Sequence, residues 1–436
     1  MGLAAHLPDQ GPPAVVGAGQ RVPLIDGRLI DYANLDHAAS APSLAAVRAA
    51  VDELLPWYAG VHRGAGFPSR VSTRVYENAR DALRRFVGAG PDAAVVFTRN
   101  TTDSLNLLAR ALPSDASVVL FDTEHHAALL PWRGARHLRT PDRAEDAVDV
   151  LDRALAERPA CLVVLTGASN VTGEVWPVAA LAEVAHRHGA RVVLDAAQLA
   201  PHRPVDITAL GVDYVALSGH KLYAPFGVGA LVGPGDWLQA AEPYLVGGGA
   251  TKVVGDGFAV TWSDAPHRHE AGSPNVVGVH AMAVACTTLA GAWEQVVAHE
   301  ETLLARLRSA LAHVPGLTEL ALFGPDHDRV GVVSFTLDGV DAGLAAAVLS
   351  AEHGIGVRDG AFCAHIAVRR LAGRARGDTQ AVRASVGLGT APEHVDRLGR
   401  ALRLLVARGP RAHYEVVDGR WSPVPDPRPL PRFLAA

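Results

Sequence analysis

Six short apolar runs, each closed by polar residues and set apart by stretches of helical spacing, constrain this chain more than any other feature. They are AAVVFT (93–98), SVVLFD (117–122), CLVVLTG (161–167), RVVLDAA (191–197), YVALSG (214–219) and GVGALVG (227–233). A strand that is apolar at nearly every position has to be covered on both faces, and helix-length intervals supply the crossovers that parallel neighbours need. The pattern predicts an α/β fold built on a mainly parallel sheet with helices on both sides. An apolar helix around His280 to Val297 closes this unit, and Glu301 to Leu311 opens a second αβ region. We expect a large domain over residues 31–295 and a smaller C-terminal α+β domain over residues 296–408. The N-terminal segment 1–30 and the Pro-rich tail 409–436 read as arms draped over the core.

Composition narrows the function classes. The 436 residues carry 40 Lys+Arg against 45 Asp+Glu, a net charge of -5, without the one-sided basic balance of a nucleic-acid binder. No uninterrupted apolar stretch reaches the ~18 residues of a membrane span, and MGLAAHLPDQGPP lacks the basic flank and apolar run of a signal peptide. The expectation is a cytoplasmic protein with neither a nucleic-acid nor a membrane partner. Cys161, Cys286 and Cys363 are an odd, widely spaced set, unlike a disulfide framework or a zinc site, so no metal centre is expected. Lys221 and Lys252 are the only lysines, which leaves two candidates for any chemistry that needs a primary amine.

In doubly wound sheets ligands collect at the carboxyl ends of the strands, and here those ends are polar. The first run is followed by Arg99, Asn100, Thr101 and Thr102, and the second by Glu124, His125 and His126. Later come Ser169 and Asn170, then Asp195 and Gln198, then Ser218, His220 and Lys221. Lys221, beside the apolar segment LYAPFGVG, reads as part-buried, and burial lowers a lysine pKa and frees the amine for a Schiff base. The competing reading is a surface lysine beside a turn; the scarcity of lysine and its polar company weigh against it. Asp195 ends an apolar strand and needs a cationic partner to stay ionised, although an Asp capping the next helix would look the same. A protonated pyridine nitrogen would serve as that cation, and a Schiff-base lysine with a pyridinium-paired aspartate is what pyridoxal 5'-phosphate (PLP) requires. Thr101 and Thr102 open the helical segment TTDSLNLLARAL, where amides and hydroxyls can hold a phosphate while also capping the helix.

Read in order, LDHAAS (35–40), VHRG (61–64), FTRNTT (97–102), EHHAALLPW (124–132), SNVTG (169–173), DAAQLAPH (195–202), SGHKLYAPFGVG (218–229), HEAGSPN (269–275), VRDGAFCAH (357–365) and VRASVG (382–387) resemble the class V aminotransferase-fold enzymes. Most closely they resemble the group II cysteine desulfurases and selenocysteine lyases, over about residues 31–408. The resemblance implies PLP-dependent transferase fold type I and a homodimer. It implies that Lys221 holds the cofactor as a Schiff base, His125 stacks on its ring, Asp195 pairs with the ring nitrogen and Gln198 bonds the phenolic oxygen. Thr102, Ser218 and His220 would bind the phosphate, with Ser273 reaching in from a second protomer. Asn170 and Arg383 would hold the substrate amino acid, the arginine gripping its carboxylate as a bidentate fork.

Cys363 decides between chemistries. DGAFCAH puts it in a Gly-containing loop, where a thiol can be accessible, whereas Cys161 in a strand and Cys286 in an apolar helix read as buried small hydrophobes. In the family the loop cysteine takes the sulfur of the bound cysteine as a persulfide and alanine is released; Arg358 or a histidine nearby would support its ionisation. The resemblance thus implies L-cysteine as substrate and a sulfur-acceptor protein as partner, which the basic stretch Arg369 to Arg376 would help to position. Four departures from the family pattern stand out: His37 for Asn, Ser273 for Thr, Ala361-Phe362 for a more polar pair, and a longer segment from Ala364 to Val382. They leave room for a second reading, a C–S or C–Se lyase or aminotransferase of a biosynthetic pathway in which Cys363 is incidental. A third, a non-catalytic scaffold on the same fold, is opposed by the retention of Lys221, Asp195 and Arg383.

Overall fold

The computed structural model describes residues 11–434, with Arg376 described by its backbone alone; the first ten residues of the N-terminal arm lie outside the described residues. Each of the six apolar runs forms a strand. With one further edge strand they are β1 (Ala94–Thr98), β2 (Val118–Phe121), β3 (Arg136–Leu138), β4 (Leu162–Thr166), β5 (Arg191–Asp195), β6 (Tyr214–Ser218) and β7 (Gly229–Gly233). They join in one seven-stranded sheet in the order β1-β7-β6-β5-β4-β2-β3. Pairing is parallel from β3 across to β6, and β7 alone runs against both of its neighbours.

Burial at every position of β2, β4, β6 and β7 is why these strands read as unbroken apolar runs. Side chains alternate between two covers. Val95, Val119, Val163 and Leu165 lie in the core of one face, covered by α1 (Ala45–Leu54), α2 (Phe67–Phe86), the helices Ala144–Glu157 and Val178–Arg187 and α4 (Val276–Ala290), while Val96, Leu120, Leu162 and Val164 lie in the core of the other with α3 (Thr101–Ala111). The apolar helix expected to run to Val297 ends earlier, because Gly291 and Ala292 break it, and α5 (Trp293–Ala312) begins eight residues ahead of the expected Glu301. Val296 of α5 packs in the core of the large sheet, whereas Leu303, Leu307 and Leu311 pack in a second core. No single helix among the described residues is long and apolar enough to cross a membrane.

That second core lies on a four-stranded antiparallel sheet of β8 (Leu317–Glu319), β9 (Val332–Leu337), β10 (Arg358–Gly360) and β11 (Ala381–Ser385), in the order β8-β9-β11-β10. It is covered by α5, α6 (Ala342–His353) and α8 (Pro392–Arg408), while α7 (His365–Arg376) follows the Cys363 loop. Ala33 and Leu35, from the far end of the sequence, also belong to this core, and Ala33–Asn34 pairs in parallel with Ile355–Gly356. The Pro-rich tail contains a hairpin, Tyr414–Val417 with Arg420–Pro423, where the sequence suggested an irregular arm. It is tied down by buried Glu352, which accepts hydrogen bonds from the Arg411 N–H (2.8 Å), the Ala412 N–H (3.2 Å) and the Tyr414 hydroxyl (3.2 Å).

The fold brings the carboxyl ends of β1, β4, β5 and β6 to one edge. β7 passes so close to the start of α3 that a Cβ at Gly229 would lie 2.5 Å from Asn100 Cα, so only glycine fits there. Asn100 caps α3 by accepting from the Asp103 N–H at 3.0 Å, and this directs the positive end of the helix at the same edge.

Candidate active site

At that edge the strand ends enclose a cavity of about 300 Å3. Thr101, Thr102, His125, Asn170, Asp195, Gln198, Ser218, His220 and Lys221 line it from the large sheet, and Arg358, Phe362, Cys363 and Arg383 from the C-terminal sheet and its loops. All the site residues expected from the sequence therefore converge here except Ser273. That residue lines a second cavity of about 640 Å3 together with His62, Arg63, Gly248 and Gly249. Lys252 is exposed on the Thr251–Val254 strand and lines neither cavity.

Lys221 stands three residues past the end of β6, and its ammonium donates to Gln198 Oε1 at 2.9 Å. Burial, with the Arg383 charge acting the same way against opposition from Asp195 and Cys363, lowers its pKa from 10.5 to about 8. At pH 7 roughly a tenth of such amines are neutral, about 300 times the share at 10.5. Ser218, the last residue of β6, accepts from the Thr101 N–H at 2.8 Å and donates to Thr101 Oγ1 at 2.9 Å, so the start of α3 is locked to the strand. His125 precedes the short helix His126–Leu129; its Nδ1 accepts from the Ala127 N–H at 3.0 Å, which puts the ring proton on Nε2. Burial first, and Lys221 second, lower the pKa of His125 to about 3, so it works as a neutral ring.

Asp195 ends β5 almost fully buried, and its Oδ1 accepts from the Ala197 N–H at 3.0 Å. Burial raises its pKa, and the Lys221 charge opposes that rise. Across the cavity Arg383, on β11, donates through Nη1 to the Asn170 carbonyl at 2.9 Å and through Nη2 to Asp36 at 3.4 Å. Its Nε is buried with no partner among the described residues. Asp36 also holds the half-exposed Arg358 at 2.8 Å, so one carboxylate joins the two arginines.

Cys363 is exposed in a loop whose residues Phe362 (φ 51°) and Cys363 (φ 54°) both lie in the left-handed region. For non-glycine residues that conformation is strained by roughly 1–3 kcal/mol each, and such strain concentrates at functional sites. Two hydrogen bonds hold the loop over the cavity: the Asn170 side-chain amide donates to the Phe362 carbonyl (2.7 Å), and the His126 N–H donates to the Cys363 carbonyl (2.8 Å). The Phe362 ring packs 5.0 Å from the Arg383 guanidinium. The Cys363 sulfur lies close enough to Lys221 and Arg383 to act electrostatically on both. Cys286 is buried as expected, and burial pushes its thiol up; Cys161 is only half-buried because it stands one residue ahead of β4.

Asp36, Glu124 and Phe362 are the site residues without an assigned part in the sequence reading. The basic stretch after Cys363 is also less free than its sequence suggests, since Arg370 pairs with Asp122 and Arg374 with Asp142 (2.7 Å). His62, Glu77 and His267 have ligand-like spacing, but they lie away from Lys221 and the Glu77 carboxylate is taken by Arg80 at 2.9 Å.

The class-V aminotransferase family model matches residues 33–398. A cysteine desulfurase of Klebsiella pneumoniae (strain 342) is 36% identical over 393 residues, covering 87% of this chain and 94% of that relative. One from Haloferax volcanii is 36% identical over 392 residues, with 84% and 88% covered. Among solved structures, the apo cysteine desulfurase of Thermococcus onnurineus NA1 superposes with a TM-score of 0.78 at 30% identity, covering 86% of this chain and 95% of that one. The Escherichia coli cysteine desulfurase CsdA, in an S-sulfonic acid form, gives 0.76 at 32% identity over the same shares. The seven-stranded sheet with its smaller C-terminal part is fold type I, and with sequence, architecture and strand-end chemistry in agreement, the chain belongs to the class-V aminotransferase family.

Proposed function

We propose that this chain is a PLP-dependent cysteine desulfurase that converts L-cysteine to L-alanine and keeps the sulfur as a persulfide on Cys363. The observation that carries this is the exposed Cys363 thiol on the rim of the cavity that encloses the Lys221 amine and the Arg383 guanidinium. Fold type I, and relatives of more than 30% identity that bear the desulfurase name, support the same assignment.

The donor set fits PLP. An amine of lowered pKa, a buried carboxylate, a neutral imidazole and the N-terminus of an eleven-residue helix surround one cavity. The unpartnered Nε of buried Arg383 needs an anionic acceptor, which the carboxylate of an amino acid supplies. Lys221 would carry the cofactor, Asp195 would meet its ring nitrogen, His125 its ring face and Gln198 its phenolic oxygen. Thr102, Ser218 and His220 would hold the phosphate. When bound, PLP supplies an electron sink that labilises bonds at the α-carbon of an amino acid and makes the β-substituent transferable.

The protein's own residues then divide the work. Arg383 binds the substrate carboxylate through Nε and Nη2, in competition with Asp36, and Asn170 borders the same end of the cavity. The Lys221 Nζ moves a proton at the substrate α-carbon, which its pKa of about 8 suits near neutral pH. The Cys363 thiolate attacks the substrate sulfur; an S–S bond forms as the Cβ–S bond breaks, and the electron pair left on Cβ takes a proton to complete alanine. A thiol reductant or an acceptor protein removes the terminal sulfur. A cytoplasmic homodimer belongs to the same proposal, with the partner's Ser273 completing the phosphate site.

Incubation with L-cysteine, followed by alanine quantification and mass spectrometry of the Cys363 peptide, tests this. We expect one extra, reductant-labile sulfur on that peptide. Cys363→Ser should keep the visible cofactor band and lose alanine formation. If Cys363→Ser forms alanine at the wild-type rate, or if no persulfide is found, the C–S lyase reading replaces desulfuration.

A further inference from the structure

Behind Asp195 lies a second buried carboxyl that the proposed reaction does not use. Glu124 immediately precedes His125 and is 2% exposed. Its Oε1 accepts from the Thr166 N–H at 3.1 Å, and Thr166 stands directly opposite Asp195 in the β4–β5 ladder. The two carboxyls therefore flank the same strand end, Glu124 on the Thr166 N–H and Asp195 on the neighbouring strand, where the Gly167 N–H donates to its carbonyl at 2.9 Å. Oε2 of Glu124 has no partner among the described residues. Among the described residues no cation acts on Glu124: what acts on it is burial, the Asp195 charge and one backbone amide, and the first two hold its carboxyl well above the usual carboxylate range. Asp195, by contrast, has Lys221 as a counter-charge and faces the cavity. Two buried carboxyls in electrostatic contact, of which only one has a cationic partner, hold a single negative charge and a single proton. The group without the cation keeps the proton, since an unpartnered buried oxygen costs far less on a neutral carboxyl than on a carboxylate.

We propose that Glu124 is a positioning residue for Asp195, a neutral carboxylic acid whose dipole supports the Asp195 carboxylate so that Asp195 alone carries charge at the ring-nitrogen end of the cofactor site. This rests on the PLP assignment for the use of that charge, but not for the location of the proton. Infrared difference spectra of apoprotein in D2O, wild type minus Glu124→Gln, read the proton directly. We expect a protonated-carboxyl stretch in the wild type that disappears in Glu124→Gln; no such difference overturns the proposal whether or not PLP binds.

Cofactor affinity reads the support. Glu124→Gln, which is neutral, isosteric and still polar, should hold PLP within about threefold of wild type, whereas Glu124→Leu, which removes the buried dipole and leaves the Thr166 N–H unpaired, should weaken it roughly 10- to 100-fold. Thermal melts identify a Leu variant that does not fold, and the Gln variant then decides: a loss of PLP affinity in folded Glu124→Gln beyond about tenfold means that the carboxyl acts as an anion and overturns the idea. A wild-type protein that binds no PLP but shows the infrared band would remove the cofactor assignment and leave the neutral acid in place.

Discussion

His37→Asn should flatten the acid side of this protein's stability profile. His37 is 4% exposed, and neither ring nitrogen has a hydrogen-bond partner among the described residues. Burial first, then repulsion from His202, His394 and His299, lowers its pKa from 6.5 to about 4. A histidine depressed in the folded state contributes stability that is fully present above pH 6.5 and is lost as the pH falls towards 4, because the unfolded chain takes up the proton first. Linkage between those two values makes the difference between pH 8 and pH 5 about 2 kcal/mol. Asparagine does not titrate, so the variant should lose about 2 kcal/mol less over that interval. Urea unfolding followed by tryptophan fluorescence at both pH values measures it. The quantity read is the change between pH 8 and pH 5, since packing alters absolute stability at either one. Equal pH dependence of variant and wild type, to within about 0.5 kcal/mol, would refute the assignment of a neutral, buried His37.

Lys221→Ala should abolish turnover, whereas Lys252→Ala, on an exposed strand, should leave kcat within about twofold of wild type; steady-state kinetics with L-cysteine separates the two. Arg383→Ala removes a charge-assisted pair worth roughly 1.5–3 kcal/mol, so KM should rise roughly 10- to 150-fold with cofactor absorbance intact. An unchanged KM would take Arg383 out of the substrate site. Sedimentation of the active enzyme should give a dimer, and an active monomer at assay concentration would rule out a shared phosphate site.

The six strands were legible because strands covered on both faces leave β-branched runs in a sequence, and the residues after those runs were chemically distinctive. β3 was not, since three residues at a sheet edge, Arg136–Leu138, carry no such run. Nor was the antiparallel sense of β7, which depends on pairing with β1 more than a hundred residues earlier. Asp36 escaped notice because its partner Arg383 is 347 positions away and only the fold joins them. Glu124 did stand in the sequence among the polar residues that follow an apolar run, three positions past the end of β2, and that strand-end position was the available signal. The tail hairpin had one too. Asp418 and Gly419, both at positive φ, form the Asp-Gly turn that favours tight hairpins, but the flanking prolines obscured it.

Ala33–Asn34 pairs with Ile355–Gly356, and the Ser385 N–H donates to the Leu35 carbonyl. On the ribosome this fixes an order of events. At about 5–20 residues per second, the first of these segments waits roughly 15–65 s for the second to be synthesised. The large sheet has all of its strands by Gly233 and can gather during that wait, while Ala33 and Leu35 stay uncovered until the C-terminal core they belong to has been synthesised. Arg383 and Cys363 both belong to the late part, so the strand-end pocket exists before the residues that grip substrate and take its sulfur, and a nascent chain that stalls before them holds half a site.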